Sequence, residues 1–74
     1  MVRLPVVSGR DLVRALEKTG YVVDRQKGSH IVLRQTEEPF RRVTVPDHRE
    51  IAKGTLRSIL RHAGLTADEL LRLL

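Results

Sequence analysis

The strongest constraint on the fold is a pair of strand-like runs separated by a short glycine-containing turn. The first run, YVVDRQ, begins at residue 21, and the second, HIVLRQ, begins at residue 30. Both contain the β-branched residues that favour strands, and the segment KGS between them supplies the glycine of a tight hairpin. A third run, RRVTVP, follows the polar connection TEEPF and ends at Pro46. Together these runs predict a three-stranded antiparallel meander.

Helical patterns precede and follow the predicted strands in the sequence. Ser8 and Asp11 have the spacing of a capping box, which predicts a helix from about residue 9 to residue 19. After the strands, KGTLRSILRHAG has apolar residues at helical spacing and ends in a glycine. Thr66 and Glu69 form a second capping box that opens a short C-terminal helix. The predicted order is α-β-β-β-α-α, a two-layer α+β sandwich with its helices on one face of the sheet.

The length of 74 residues is sufficient for one domain, so we assign residues 1–74 to a single domain. The chain has no cysteine, which excludes a disulfide framework and a thiolate zinc site. No stretch approaches the roughly 20 apolar residues of a membrane span, and the N-terminal region has no apolar run of signal-peptide length. We therefore expect a cytoplasmic protein that does not bind membranes. We also expect the free chain to be a monomer, because its apolar faces are sufficient for one two-layer core.

The charge balance points to an anionic partner. Lys and Arg total 14 against 9 acidic residues, a formal net charge of +5, which favours a polyanion or an acidic protein. Tyr21 and Phe40 are the only aromatic residues, so RNA binding would depend on phosphate contacts rather than on base stacking. Cations also recur every four residues on both predicted long helices, which favours an anionic surface opposite them, although a solvated helix face explains them too. These two rows are Arg10, Arg14 and Lys18, and Lys53, Arg57 and Arg61.

His30 is an unusual residue for the start of a strand. Strand alternation turns Ile31 and Leu33 towards the core, and it turns His30 and Arg34 towards the opposite, uncovered face. The same alternation places Arg42 of the third strand on that face. An imidazole exchanges protons near neutral pH, and here it would do so among permanent cations. A plain exposed strand histidine explains the pattern equally well.

Cations around a histidine are sufficient to cleave RNA. The 2′-hydroxyl of RNA is an internal nucleophile, so a group that removes its proton or protonates the 5′-oxygen can break the chain once cations neutralise the phosphorane. We expect His30 to be this catalytic group. The three histidines show no short ligand spacing, so we expect no metal and no other cofactor. The expected RNA-binding residues are Lys27, Gly28, Ser29, Arg34, Arg42, Lys53 and Arg57.

Longer motifs resemble one known family. The phrases SGRDLVRALEKTGYVVDRQKGSHIVLR and VTVPDHREIAKGTLRSILRHAGLTADEL, within about residues 5–72, resemble the HicA-type (YcfA-like) mRNA interferase toxins of bacterial and archaeal toxin–antitoxin systems. The resemblance implies a fold similar to the double-stranded RNA-binding domain and a metal-independent endoribonuclease acting on mRNA. It implies that His30 of the Gly-Ser-His motif is catalytic and that a HicB-type antitoxin covers the active site. His48 matches the family's P-x-H position, but Arg49 and Glu50 follow where the family often has a glycine.

Two other functions are compatible with the same residues. A non-catalytic module of the double-stranded RNA-binding type would use the same fold and the same cations, and His30 alone separates it from a nuclease. A protein-interaction domain that neutralises an acidic partner would need only the basic surface. Salt-dependent RNA affinity without cleavage would favour the first of these alternatives, and the absence of RNA affinity would favour the second.

Overall fold

The helices and strands follow the predicted order. A computed structural model describes residues 3–74, and Met1 and Val2, assigned to the domain from the sequence, lie outside the described residues. The three strands form one antiparallel sheet and lie in it in the order in which they occur along the chain. The predicted α+β fold is therefore confirmed. The elements are α1 (Gly9–Glu17), β1 (Tyr21–Lys27), β2 (His30–Gln35), β3 (Arg42–Pro46), α2 (Lys53–Ala63) and α3 (Ala67–Leu73).

Both predicted capping boxes form. The Ser8 hydroxyl accepts a hydrogen bond from the Asp11 amide at 3.0 Å, and the Asp11 carboxylate accepts one from the Ser8 amide at 3.4 Å. Thr66 and Glu69 make the same exchange at the start of α3, at 3.1 and 2.9 Å. The first helix ends at Glu17, slightly before its predicted end, because the chain tightens there into a turn with i to i+3 hydrogen bonds.

One apolar core lies between the helices and one face of the sheet. Ile31 and Leu33 of β2 and Val43 and Val45 of β3 are buried in it, as strand alternation predicts. Helix α2 adds four buried residues at helical spacing. They are Leu56, Ile59, Leu60 and Ala63. No helix within residues 3–74 covers the other face of the sheet, and we call it the open face.

Tyr21 connects the sheet to the end of α2. Its side chain is buried, and its hydroxyl donates a hydrogen bond of 3.0 Å to the carbonyl of Ala63. Burial raises the pKa of the Tyr21 phenol above its ordinary value, and the nearby Arg41 guanidinium lowers it by a smaller amount. The folded state is therefore favoured while the phenol keeps its proton.

We predict that Tyr21→Phe lowers the free energy of unfolding by about 1 kcal/mol, because the Ala63 carbonyl loses its buried donor. Wild type should lose this advantage as the pH rises from the unfolded phenol pKa of about 10 towards the higher folded value, since the unfolded phenol ionises first. Urea unfolding of both proteins at about pH 7 and about pH 11 measures the difference. A gap that stays the same at both pH values would contradict the burial of this phenol.

Helix α2 contributes a fully buried leucine to the core, which makes it a suitable place to test the packing. Leu56 is fully buried, whereas Leu71 of α3 is 41% exposed and serves as a matched control. We predict that Leu56→Ala lowers the free energy of unfolding by about 2 to 5 kcal/mol through cavity formation, and that Leu71→Ala changes it by less than about 1 kcal/mol. Denaturant unfolding measures both values, and equal losses would contradict this packing.

Candidate functional site

A two-residue turn presents His30 at the start of β2. Gly28 and Ser29 form the turn, and Lys27 pairs directly with His30 across it. Gly28 has a φ of +60°, a left-handed conformation that glycine adopts readily as the first central residue of a type II′ hairpin turn. Lys27 therefore belongs to β1, one residue beyond the predicted strand. Because directly paired residues share a sheet face, Lys27 and His30 lie side by side on the open face.

A β-bulge in β1 determines which of its side chains reach the open face. The register shifts between Val23 and Arg25, so Asp24 has no partner of its own on β2. Under regular alternation from the buried Tyr21, both Arg25 and Lys27 would face the helices. The extra residue reverses the alternation after it, so both cations face away from the helices instead. The open face gains two positive charges that simple alternation assigns to the other side.

The open face carries polar and charged side chains from all three strands. His30 is exposed, and no hydrogen bond or ion pair within residues 3–74 involves its side chain. Its imidazole is therefore accessible to a ligand. From the strand pairing, the residues of the open face are Val22, Asp24, Arg25 and Lys27 of β1, His30, Val32 and Arg34 of β2, and Arg42, Thr44 and Pro46 of β3.

The cations of the open face fall into two groups. Lys27 lies beside His30, whereas Arg34 and Arg42 form a cross-strand pair at the other end of β2. Four steps along the strand separate His30 from Arg34, which is about 13 Å at the rise of a β-strand. Arg25 lies between the two groups, opposite Val32. The imidazole and the arginine pair therefore belong to separate parts of the open face.

Asp24 forms ion pairs with both arginines. Its carboxylate is 3.6 Å from Nε of Arg34 and 3.2 Å from Nη1 of Arg42. Sequence reasoning missed both Asp24 and Arg25 as residues of the site. Asp24 could have been found from the sequence, because simple alternation from the buried Tyr21 already puts it on the open face. No comparable signal existed for Arg25, since only the bulge brings it there.

The two rows of helix cations differ in how far they are neutralised. On α1, Arg10 pairs with Asp47 at 3.2 Å and Arg14 pairs with Asp11 at 3.1 Å, while Lys18 donates to a main-chain carbonyl at 2.7 Å. The ion pairs within residues 3–74 include no member of the α2 row, which consists of Lys53, Arg57 and Arg61.

The start of α2 lacks the usual neutralising groups. Its N-cap is Ala52, which has no side-chain cap, and its first turn contains no acidic residue. Lys53 at this end is exposed. Free amides at a helix N-terminus attract anions, and the lysine adds to this attraction. Of the two rows, the one on α2 is therefore the one that can meet an anionic partner.

A groove of about 570 Å³ runs between β3 and α2. Arg42 and Thr44 line it from the sheet, and Ser58 and His62 line it from the helix. In the described part of the chain, residues 3–74, no acidic side chain lines the groove. The basic character of the open face therefore continues around the edge of β3.

The segment after β3 is fixed against the hairpin turn. The amide of Asp47 donates to the carbonyl of Ser29 at 2.6 Å, and the amide of Gly9 donates to the carbonyl of His48 at 2.9 Å. A Cβ atom on Gly9 would overlap the carbonyl oxygen of Pro46, so this close approach of α1 requires glycine. His48 is consequently held next to the turn by main-chain contacts, and the glycine that often follows it in the HicA-type family is not needed for them.

Comparison with known proteins identifies the family. A family model described as HicA toxin of bacterial toxin-antitoxin matches residues 9–65, which is more than half of the chain. The chain belongs to the HicA toxin family. A search of curated proteins finds no match. Membership in the HicA family makes the chain a toxin of a toxin–antitoxin system and implies an antitoxin partner.

The HicA match includes the whole sheet and therefore both groups of cations. His30, the turn before it and the first turns of α2 all lie inside the matched region. Among residues 3–74 of this HicA toxin, no group of three or more His, Cys, Asp or Glu residues is arranged to hold a metal ion. In the same part of the chain, no helix has both the length and the apolar character needed to cross a membrane.

Proposed function

We propose that this HicA toxin is a metal-independent endoribonuclease that cleaves mRNA, with His30 as its catalytic residue. The observation that carries the proposal is the pairing of Lys27 with His30 on an uncovered face of the sheet. This pairing puts a proton-transfer group beside a permanent cation, and nothing within residues 3–74 occupies the imidazole. An mRNA substrate also implies that the toxin acts in the cytoplasm.

The reaction uses the 2′-hydroxyl of the RNA as its nucleophile. The 2′-oxygen attacks the adjacent phosphorus, and the bond from phosphorus to the 5′-oxygen breaks. A 2′,3′-cyclic phosphate remains on one fragment, and a 5′-hydroxyl forms on the other. Either a neutral His30 takes the proton from the 2′-hydroxyl while water protonates the departing 5′-oxygen, or a protonated His30 gives its proton to the 5′-oxygen while water takes the proton of the 2′-hydroxyl. The Lys27 ammonium group stabilises the negative charge that develops on the phosphorane.

The remaining predicted residues would bind the RNA chain away from the cleaved bond. Arg34 and Arg42 would contact a phosphate farther along the open face, since the main-chain positions of His30 and Arg34 are about 13 Å apart. Lys53 and Arg57 would contact a phosphate at the free start of α2. The main chain at Gly28 and Ser29 would contact the nucleotide next to His30. Because these contacts go to phosphates, RNA affinity should fall steeply as salt is added.

A HicB-type antitoxin is proposed to bind the open face and cover His30. The cations there favour an acidic partner and would steer it to the face quickly at low salt. Apolar contact area is also present, since Val22, Val32 and Pro46 are half-buried on the same face. Such contacts would set the lifetime of the complex once it has formed.

We predict that His30→Ala abolishes RNA cleavage and toxicity while changing the free energy of unfolding by no more than about 0.5 kcal/mol, the usual range for surface substitutions. RNA affinity should stay nearly unchanged, since the phosphate contacts remain. The assay measures cleavage of a single-stranded mRNA fragment in EDTA, with a thermal melt of each protein. His62→Ala, which removes an exposed imidazole from α2, is the matched control and should keep cleaving.

Each result of this assay separates the candidate functions. Full activity of His30→Ala would exclude His30 from the mechanism. Loss of activity together with a lowered melting temperature would indicate a structural histidine instead. If wild type binds RNA with salt-dependent affinity but does not cleave it, the non-catalytic RNA-binding module is the better description. The absence of RNA affinity would leave a protein-interaction domain.

We predict that an acidic antitoxin encoded beside this toxin gene forms a tight complex with it and stops cleavage at equimolar ratio. The complex should protect His30 from carbethoxylation by diethylpyrocarbonate, because the antitoxin would cover the open face. His62, on α2, serves as the internal control for reagent accessibility. Mass spectrometry of the modified peptides measures both positions. A stable complex in which cleavage and His30 reactivity are unchanged would contradict the proposed arrangement.

A further inference from the structure

Asp24 is the one acidic residue among the open-face residues defined above, and it lies between two of the cations. Its carboxylate contacts Arg34 at 3.6 Å and Arg42 at 3.2 Å, so one anion bridges two guanidinium groups from different strands. Carboxylates and phosphates accept hydrogen bonds from guanidinium groups with similar geometry. The two arginines are therefore arranged around an anion, and Asp24 supplies that anion from within the chain.

The bulge explains why Asp24 reaches this position. Asp24 and Arg25 together oppose Val32, and the side chain of Asp24 extends towards β3 across the open face. The three charged side chains remain in contact with solvent: 30% of the Asp24 side chain is exposed, 46% of Arg34 and 61% of Arg42. Ion pairs that are exposed to this extent are weak and exchange readily with other ions. An incoming anion can therefore replace the carboxylate without unfolding the sheet.

We propose that Arg34 and Arg42 form a phosphate subsite and that Asp24 is its resting occupant, which a phosphodiester of the RNA displaces. This inference deepens the proposed function and rests on it. The subsite is centred on Asp24, which lies opposite Val32 and therefore about 7 Å along β2 from His30, so it binds a phosphate other than the one that is cleaved. Asp24 therefore lowers the affinity for RNA without taking part in the chemical step. The resting toxin carries fewer free cations than its sequence suggests.

Replacing Asp24 by Asn removes the competing charge and keeps the shape of the side chain. In a His30→Ala background, where the RNA stays intact, Asp24→Asn should raise the affinity for a single-stranded oligoribonucleotide about two- to fivefold. The slope of log affinity against log salt should steepen by about 0.7, the value for one further phosphate contact on a single strand. With His30 present, KM for cleavage should fall by a similar factor while kcat stays unchanged.

Two controls separate a local effect from a change of net charge. Asp68→Asn also removes a carboxylate that pairs with an arginine, since Asp68 lies 3.3 Å from Arg72, but this pair is on α3. Asp68→Asn should therefore change RNA affinity less than Asp24→Asn does. Asp24→Glu keeps the charge and should bind RNA like wild type. If Asp24→Asn fails to fold, as a thermal melt would reveal, Asp24→Ser tests the same charge loss.

A titration with inorganic phosphate tests the subsite without RNA. The Nε resonances of Arg34 and Arg42 should shift at lower phosphate concentration in Asp24→Asn than in Asp68→Asn. If that shift occurs but no variant binds RNA, the subsite stands and the proposed ribonuclease function fails. If neither phosphate nor RNA binds more tightly to Asp24→Asn than to Asp68→Asn, the inference is overturned. A fall in RNA affinity for Asp24→Asn would also overturn it, because Asp24 would then position the arginines instead of competing for them.

Discussion

A single unpaired residue in β1 determines which charges the open face carries. The bulge at Asp24 reverses strand alternation, so Arg25 and Lys27 lie on the same side of the sheet as His30. Without the bulge, both cations would face the helices, and His30 would have no adjacent cation from the hairpin. The same residue supplies the carboxylate that forms ion pairs with Arg34 and Arg42. The catalytic proposal and the phosphate subsite therefore both depend on one irregularity in strand pairing.

Packing on the other side of the sheet keeps this face in place. The core holds β2 and β3 through alternate residues, so their remaining side chains must face solvent. Gly9 lets α1 approach the end of β3 closely enough for the amide of Gly9 to bond to the carbonyl of His48. The amide of Asp47 then bonds to the hairpin turn at Ser29. Helix α1 thus fixes the turn that presents His30, although none of its residues is proposed to contact RNA.

Much of the fold follows from local sequence rules. Both capping boxes, the strand order, and the core positions of β2 and β3 depend on residues within a few positions of one another, so they are predictable. The face of His30 follows from the same alternation. The remaining features of the site depend on how the strands pair in the folded protein. The bulge, the strand position of Lys27 and the presence of Arg25 on the open face depend on how β1 pairs with β2. The row of cations on α1 has Asp11 as a partner close by in the sequence, but the partner of Arg10 is Asp47, 37 positions away in the chain, which local rules do not reveal.

His30 is proposed to promote attack of the RNA's own 2′-hydroxyl on the adjacent phosphate. The chemical ends of the fragments test this mechanism, because the nucleophile determines where the phosphate remains. Purified toxin is incubated with a single-stranded mRNA fragment in EDTA, and mass spectrometry identifies the termini. We expect a 2′,3′-cyclic phosphate on one fragment and a 5′-hydroxyl on the other. Fragments that carry a 5′-phosphate and a 3′-hydroxyl would contradict it, since water would then be the nucleophile.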